Sequence, residues 1–265
     1  MWSSVGSVVA ERWEGGSVEC RVDEVAGEVP VALVYDGISH AVMLASPGDL
    51  EDFALGFSLT EGIVGEAREI YDMEIVEREE GIEVRMRIAG ERLHNLKNHR
   101  RSLAGRTGCG LCGAESLEQA FRNLAPVATE LRLDPQCLHT ALGQLRDLQR
   151  IERVTGATHA AAWLDTDGRI AALREDVGRH NALDKLVGHL ASAGADFARG
   201  AVLVTSRASH EMVQKTAAMG IGLMAAISAP TDLAIRMAGR LNLTLVAFLR
   251  RDSHMIYTHP LRLRP

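Results

Sequence analysis

The residues best suited to chemistry are the two cysteines of the stretch TGCGLCG, Cys109 and Cys112. The flanking glycines tolerate positive φ and let another molecule approach the backbone closely. Residues 92–106, just upstream, contain five basic side chains and no acidic one, and a helix is predicted directly after Cys112. Positive charge and helix N-terminal amides both favour a thiolate. Such a thiolate can attack sulfur, accept a persulfide or bind a soft metal.

Four interpretations of this Cys-x-x-Cys pair are open. Two thiols packed together for purely structural reasons would be unusual in a glycine-rich polar loop. A zinc site needs two further ligands, and neither Cys137 nor any histidine stands at zinc-finger spacing. A thioredoxin-like motif would follow the first strand of a βαβ unit, whereas this pair follows a long basic stretch. The exposure and charge favour sulfur relay or redox shuttling on a mobile loop.

A second polar cluster, residues 174–185, enters a predicted helix at its N-terminus, where free amide groups bind anions. Asp176 is predicted to cap this helix. The helix then carries more polar side chains than solubility requires: Arg179, His180, Asn181, Asp184 and Lys185. A solvated helix face with local ion pairs is the commoner explanation of such a run, so the cluster alone does not establish a site.

Two further turns, residues 205–209 and 228–231, are rich in hydroxyl groups, and each joins an apolar strand to a helix. Helix capping accounts for one Ser or Thr in each turn. Both turns nevertheless fall at the carboxyl edge of a predicted sheet, where open α/β folds bind ligands. With Arg179, Arg207 and Lys215 nearby, this edge predicts a site for a phosphorylated or nucleotide-bearing ligand.

The hydropathy pattern predicts an α/β protein (α+β overall) with two lobes. Residues 1–125 form a β-rich lobe with strands over 17–45, a helix over 49–64, strands over 71–88, a long loop over 91–113 and a short helix over 114–124. Residues 126–265 begin with a helix over 137–152 and a hairpin over 157–176 that turns at Asp167-Gly168. Strands and helices then alternate, which predicts a layered α/β lobe with a mostly parallel sheet.

The composition limits the classes of function. The chain has 265 residues, and 29 Lys and Arg against 35 Asp and Glu give a net charge of −6. This balance argues against nucleic acid or an anionic membrane as the main partner. No apolar run approaches the ~18 residues of a membrane span, and no basic region opens a signal peptide. Four cysteines do not make a disulfide scaffold, so a reducing cytoplasm is the expected compartment.

The motifs taken together closely resemble the formate dehydrogenase accessory sulfur-carrier family (FdhD/NarQ). The resemblance spans about residues 18–259, and the segment EDVGRHNALDK is its most specific part. The other motifs stand in the family's order: the opening segment VPVALVYDGISHAVMLASPGDLEDFALGFSLTEGIV, then TGCGLCG, THAAAW, SRASHEMVQKTAAMGI, SAPTDLAIRMA and TLVAFLR.

The resemblance implies a cytoplasmic sulfurtransferase that carries sulfur as a cysteine persulfide. It would take the sulfur from a cysteine desulfurase and pass it to the molybdenum (or tungsten) of a bis-guanine-dinucleotide pterin cofactor bound for formate dehydrogenase. It further implies a C-terminal lobe with a cytidine-deaminase-like three-layer fold, here without the zinc-deaminase signature, and a homodimer. The alternatives are a non-catalytic chaperone that delivers the pterin, or a zinc hydrolase or deaminase on the same fold.

The resemblance also implies residue roles. Cys109 would carry the persulfide, and Cys112 would be its neighbour or resolving thiol. No metal ligands are expected. The cofactor's guanine and phosphate groups would lie near residues grouped along the chain as Arg106; Thr155, Gly156 and His159; Asp176, Gly178, Arg179, His180, Asn181, Asp184 and Lys185; Ser206, Arg207, Ser209, Met212 and Lys215; Ser228 and Thr231; and Phe248, Leu249, Arg250, Arg251, Asp252 and Ser253.

Two positions depart from the family pattern. Ala157 stands where the family usually has the second glycine of T-G-G, and Ser206 stands where it usually has the glycine of S-G-R. Each change replaces a glycine in a turn, so the ligand geometry there is expected to differ. The two carrier cysteines are unchanged.

Overall fold

Alternating apolar residues build a four-stranded sheet in the N-terminal part of the computed structural model, which describes residues 2–101 and 122–264. The strand order is β4-β3-β6-β5. Strands β3 and β6 run parallel, and each pairs antiparallel with its other neighbour. Every second residue of β3 is fully buried, which places one face of the sheet on the core. The strands are β3 (Val29–Tyr35), β4 (Ile38–Ala45), β5 (Ile70–Glu77) and β6 (Ile82–Ile88).

A two-stranded antiparallel ribbon precedes this sheet. It consists of β1 (Val5–Glu14) and β2 (Ser17–Ala26), paired along their whole length and, in the described part of the chain, with no third strand. The strand β2 was predicted, but β1 was not. Its three charged residues, Glu11, Arg12 and Glu14, interrupt the alternation of valine and tryptophan along the strand.

Two helices lie in the N-terminal part, α1 (Leu50–Thr60) and α2 (Gly90–Arg101). The predicted helix over 49–64 ends early because Gly62 adopts φ +70° and reverses the chain. The long loop predicted over 91–113 is wrong in its first part, because residues 91–101 belong to α2. Among residues 90–96, whose side chains the structure describes, Leu93 and Leu96 pack this helix on the core. The sequence of α2 shows no clear apolar period, but its straight-chain residues favour a helix.

The C-terminal part contains a six-stranded sheet of order β12-β11-β10-β9-β7-β8. Strands β9, β10 and β11 pair in parallel, β7 is antiparallel to both β8 and β9, and β12 is antiparallel to β11. The strands β8 to β11 therefore all point the same way, as predicted. Their bounds are β7 (His159–Leu164), β8 (Ile170–Asp176), β9 (Ala201–Val204), β10 (Leu223–Ala226), β11 (Thr244–Ala247) and β12 (Met255–Ile256).

Helices cover both faces of this sheet. On one side lie α5 (Arg179–Ser192), α6 (His210–Ala218) and α7 (Asp232–Arg240), and on the other lies α3 (Pro135–Leu148). The three-layer α/β fold is thus confirmed. The single helix predicted over 137–152 is wrong, because Gln149 adopts an extended conformation and separates α3 from α4 (Arg150–Thr155).

The two sheets are joined through a close helix crossing between α1 and α5. A Cβ atom on Gly56 would lie 1.7 Å from the backbone oxygen of Asp184, and one on Gly188 would lie 1.9 Å from that of Asp52. Only glycine permits the two backbones to approach this closely. One apolar core consequently runs from the N-terminal sheet through α1 and α5 to the C-terminal sheet. The lobe boundary near residue 125 stays a prediction.

None of the helices in residues 2–101 and 122–264 is long and apolar enough to cross a membrane.

Candidate functional site

The predicted sulfur-carrying segment lies outside the described residues. This applies to Arg106, Cys109 and Cys112 and to the predicted helix that follows them. The described chain resumes at Arg122, whose backbone amide donates to Gln214 Oε1 on α6 at 3.2 Å. The Arg122 guanidinium donates to the backbone oxygen of Thr60, at the end of α1. The chain therefore leaves this segment at the junction of α1 and α6.

The polar cluster at the start of α5 is tied to the N-terminal part by a buried ion pair. Lys185 Nζ lies 2.7 Å from Asp176 Oδ2, and both side chains are essentially excluded from solvent. Ser46, which follows β4, donates its amide to the same carboxylate oxygen and accepts from Lys185 through its carbonyl, each at 2.9 Å. A buried charge needs such partners. The most specific motif of the chain therefore holds β4, β8 and α5 together.

Asp176 does not act as the N-cap that the sequence predicts. It is the last residue of β8, and Gly178 occupies the capping position. The carboxylate instead accepts from the Gly178 amide at 2.8 Å and from Asn181 Nδ2 at 3.0 Å. The same amide group of Asn181 donates to the Leu44 backbone oxygen at 2.8 Å. These contacts fix the direction in which α5 leaves the sheet.

A second buried charge cluster lies between α1, α5 and α6. Lys215 Nζ contacts Asp184 Oδ2 at 2.9 Å and Glu61 Oε1 at 2.7 Å. Thr60 Oγ1 donates to Asp184 at 2.6 Å. Burial raises the pKa of Asp184 although Lys215 opposes the rise. Burial also disfavours ionisation of Glu61, but the Lys215 charge holds the pKa of Glu61 below its ordinary value. The cluster lies directly beside Arg122, at the end of the undescribed segment.

The predicted turns meet at one sheet edge. The turn at 205–209 bridges to the turn at 228–231 through Ala208 and Pro230. Thr205 Oγ1 accepts from the amide of Ala160 on β7 at 2.9 Å. The amide of Phe248, which follows β11, donates to the Ser228 oxygen at 3.2 Å. The expectation that these strand-to-helix turns form one surface is therefore confirmed.

Basic side chains face this edge. The Nε of Arg179 is buried and has no hydrogen-bond partner among the described residues. Burial and the Arg179 charge both lower the pKa of His159, so its imidazole is neutral at pH 7. His180 Nε2 lies 3.2 Å from Glu211 Oε2, which also accepts from Ser209. Partial burial opposes ionisation of Glu211, but the contact with His180 lowers the pKa of this carboxyl group to about 2.

A cleft of about 530 Å³ opens beside His159 at this edge. Its wall is α4, whose first amides donate to the Glu175 carboxylate at 2.9 and 2.8 Å. Thr158 Oγ1 donates to the same carboxylate at 3.0 Å. Gly156 ends α4 with φ +66°, and Ala157 stands beside it at the rim. The lining residues are Gln149, Glu152, Gly156, Ala157, Thr158, His159, Thr205 and Ile227.

The loop after β11 closes the far end of the edge. Phe248 has φ +50° and is 39% exposed, whereas Leu249 is fully buried. Arg250 donates to the Ile227 carbonyl at 2.6 Å and, through its own carbonyl, contacts His139 Nδ1 at 2.9 Å. These bonds hold the loop against β10 and α3. Its tip is solvent-exposed and consists of Arg251, Asp252 and Ser253.

The structure separates the predicted cofactor-binding residues into two groups. The inner group is buried: Asp176, Asn181, Asp184, Lys185, Ser206, Met212, Lys215 and Leu249. The outer group reaches the surface at the sheet edge: Thr155, Gly156, His159, Gly178, Arg179, His180, Arg207, Ser209, Ser228, Thr231, Phe248, Arg250, Arg251, Asp252 and Ser253.

Several partners at the site are not among the predicted site residues: Ser46, Thr60, Glu61 and Glu211, together with Glu175, which belongs to the 174–185 cluster but was given no role. Glu211 lies two residues after Ser209, in the first turn of α6. This position at a helix start could have indicated that its carboxylate belongs to the site. Ser46, Thr60 and Glu61 carry no local signal, because their partners lie more than a hundred residues away along the chain.

The fold and the edge define an α/β protein with a mixed sheet, whose strand-end turns form a polar, partly cationic surface. Comparison with known proteins gives the family. The FdhD/NarQ family profile matches residues 26–264, and the chain belongs to that family.

Two relatives cover nearly all of the chain. It is 60% identical over 253 residues to the sulfur carrier protein FdhD of Cupriavidus necator, which covers 96% of this chain and 88% of that protein. It is 55% identical over 258 residues to the sulfur carrier protein FdhD of Bordetella petrii, with 96% and 93% covered. The crystal structure of a proposed formate dehydrogenase accessory protein from Desulfotalea psychrophila has the same fold, with a TM-score of 0.75, 23% identity and full coverage of both chains.

Proposed function

We propose that this protein is a sulfur carrier and sulfurtransferase that holds a persulfide on Cys109 and supplies its sulfur for formate dehydrogenase. Two relatives at 60% and 55% identity bear the name sulfur carrier protein. The sequence around Cys109 suits a reactive thiol, since Cys109 lies among glycines directly after a stretch with five basic residues and no acidic one. This charge stabilises the thiolate that attacks a sulfane sulfur.

Loading is a thiol exchange. The Cys109 thiolate attacks the terminal sulfur of a persulfide on a cysteine desulfurase. A new S–S bond forms on Cys109, the donor S–S bond breaks, and the donor cysteine leaves as a thiolate. In the release step the Cys112 thiolate attacks Cys109 Sγ, and the terminal sulfur leaves as sulfide. The two cysteines supply the two electrons and end as a disulfide, which a dithiol reductant must reopen.

The acceptor in this proposal is the metal of a molybdenum (or tungsten) bis-guanine-dinucleotide pterin, bound as a substrate at the polar edge of the six-stranded sheet. The buried Nε of Arg179, which has no partner among the described residues, is the observation that carries this assignment. A phosphate oxygen would satisfy this donor. The cleft of about 530 Å³ beside His159 is large enough for a nucleotide-sized group.

The buried inner group of predicted residues holds the helices that carry the ligand-binding side chains in place. The Asp176–Lys185 pair sets the start of α5 and so the place of Arg179 and His180. The Asp184–Lys215 pair sets the ends of α1 and α6, where Arg122 leads from the cysteine segment. These two pairs therefore connect Arg122, where the described chain resumes, with the polar edge of the six-stranded sheet.

The partners proposed with this function are a cysteine desulfurase and the catalytic subunit of formate dehydrogenase, and the family resemblance adds a second copy of this chain. The compartment that suits a carrier of reduced sulfur is the cytoplasm.

Reconstitution of formate dehydrogenase tests this function. Apo-enzyme from cells lacking this protein is mixed with pterin cofactor, a desulfurase, cysteine and either the wild type or Cys109→Ser. The wild type and the control variant Cys137→Ser should restore activity. The Cys109→Ser variant should bind the cofactor normally yet give an enzyme that lacks the metal-bound sulfur. Full activity with Cys109→Ser would instead identify a cofactor chaperone and overturn the proposal.

A further inference from the structure

The ribbon β1–β2 has one apolar face and one polar face. In the antiparallel register Val9 lies opposite Val22, and Trp13 lies opposite Val18. Residues opposite each other point to the same side of a sheet, and side chains alternate along each strand. The apolar ribbon face is therefore made of Val5, Ser7, Val9, Glu11, Trp13, Val18, Cys20, Val22, Glu24 and Ala26.

This face is open to solvent. Val9 is 78% exposed, Trp13 71%, Val22 65% and Val18 61%. The polar ribbon face carries the alternate residues, including Arg12, Glu14, Arg21 and Asp23, which form ion pairs at its surface. Two of its residues, Ala10 and Asp23, are partly buried, and α4 contacts β2. On the apolar face only Val5 and Ala26, at the base of the ribbon, are partly buried, and the rest of this face is exposed.

An isolated two-stranded ribbon is at best marginally stable in water, so this one needs a cover whenever the chain is folded. Each strand has ten residues. At ~3.4 Å per residue and ~10 Å of width, the flat area of the face is about 340 Å², without the additional surface of protruding side chains. A patch of this size on a monomer is often functional. Interfaces that are permanently covered are apolar, whereas transient ones are no more apolar than ordinary surface.

We infer that the apolar ribbon face is the contact surface of a homodimer, in which two ribbons pack face to face about a two-fold axis. A second copy is the partner that is present whenever the chain is folded, and a two-fold axis brings the same surface of each copy together. Two of the cross-strand pairs on the face, Val9–Val22 and Trp13–Val18, carry no charge, and the Glu11–Cys20 pair between them brings a single carboxylate from each copy. The inference rests on the homodimer of the proposed function and adds its surface.

The face supplies less than the ~800 Å² per partner of a standard interface. The remainder is available on β4, which begins soon after the ribbon and exposes Val42 at 60% and Leu44 at 56%. The base of the ribbon reaches this region, because Gly27 donates to the Ser4 oxygen at 2.8 Å and Gly48 lies beside Ser4. The dimer surface therefore extends from the ribbon to the exposed residues of β4.

Sedimentation of the full chain tests the inference with matched variants. The wild type should sediment at twice 28.7 kDa. Val9→Lys and Val22→Lys place charges on the apolar ribbon face and should raise the dimer dissociation constant about 100-fold. Val8→Lys changes the neighbouring residue, which is 44% exposed on the polar ribbon face, and should remain a dimer. Circular dichroism confirms that each variant is folded.

Thiol labelling gives a second readout that does not depend on mass. Cys20 lies on the apolar ribbon face between the two uncharged pairs, so a maleimide should modify it slowly in the wild type and faster in Val9→Lys. A monomeric wild type would contradict the homodimer itself. A dimer that persists in Val9→Lys and Val22→Lys, or equal labelling of Cys20 in the wild type and Val9→Lys, would show that the apolar ribbon face is not the contact surface. Sulfur loading on Cys109 is measured separately and is unaffected by either failure.

Discussion

The Asp176 carboxylate lies 2.7 Å from the Lys185 ammonium group, and Ser46 binds both charges from the far side of the core. This arrangement explains why polar residues at the start of α5 are buried: they bind one another and Ser46 inside the core. The pair joins β8, which leads to the polar edge of the six-stranded sheet, to Ser46 beside the N-terminal sheet, 130 residues away along the chain.

Removing one member of this pair should destabilise the whole fold. Lys185→Met leaves a buried carboxylate without its counter-charge, and we expect a loss of about 3–5 kcal/mol in the free energy of unfolding. Chemical denaturation measures it. The control is Arg236→Met, which breaks an exposed ion pair with Asp232 on α7 and should cost less than about 1 kcal/mol. Equal effects of the two substitutions would show that the inner pair is not a structural tie.

The crossing of α1 and α5 predicts opposite effects for two glycine substitutions. Gly56→Ala places a methyl group 1.7 Å from a backbone oxygen, so the helices must separate, and we expect a loss of about 3 kcal/mol or more. Gly143→Ala, inside α3, meets nothing within 4 Å and should stabilise the protein by about 0.5–1 kcal/mol. Thermal unfolding of both variants distinguishes these outcomes. A neutral Gly56→Ala would mean that the two helices do not cross this closely.

The Glu211 carboxyl group predicts a pH-dependent contribution to stability. Its pKa is about 2 in the folded protein against an ordinary value of 4.5. A lowered folded pKa stabilises the protein above the unfolded pKa, and the contribution disappears as the pH falls from 4.5 towards 2. Glu211→Gln should therefore cost about 1–2 kcal/mol at about pH 5 and progressively less in stronger acid.

Urea unfolding at several pH values measures this difference. The exposed Glu28, replaced by Gln, serves as the control and should change stability by less than about 0.5 kcal/mol at every pH. A Glu211→Gln difference that stays constant through the acid range would contradict the assigned role of the His180 contact.

Arg179 is the residue on which nucleotide binding should depend most. Guanosine diphosphate serves as the probe, and calorimetry measures its affinity. Loss of a charge-assisted phosphate contact in Arg179→Ala should weaken binding about ten-fold or more. Arg199→Ala, an exposed arginine before β9 and thus at the opposite edge of the sheet, should change it less than about two-fold. Equal affinity of guanosine diphosphate for the wild type and Arg179→Ala would show that the nucleotide does not bind at this edge.

The sequence predicts most of the fold because its signals are local. The strand AVLV of β9 is a short apolar run between Gly200 and Thr205, and it is recognisable without its neighbours. The meeting of the 205–209 and 228–231 turns follows from the parallel direction of β9 and β10. Strand direction therefore suffices to predict the polar edge.

The parts that escaped prediction depend on distant partners or weak local patterns. The sequence places Asp184 and Lys215 near the ligand, but Thr60 and Glu61 give them a buried environment that no local pattern reveals. Strand β1 carries Glu11, Arg12 and Glu14, which interrupt its apolar alternation, and it depends on β2 for its pairing. The sequence of helix α2 contains two leucines among mostly polar residues, so its apolar period is too weak to detect.

The central claim is that Cys109 holds the transferable sulfur, and mass spectrometry of the loaded protein tests it most directly. The full chain is incubated with a cysteine desulfurase and cysteine, and each thiol-containing peptide is examined for an added sulfur atom. We expect a persulfide on Cys109 in the wild type and in Cys137→Ala, and loss of the bound sulfane sulfur in Cys109→Ala. A Cys109→Ala protein that accumulates as much sulfane sulfur as the wild type would contradict it.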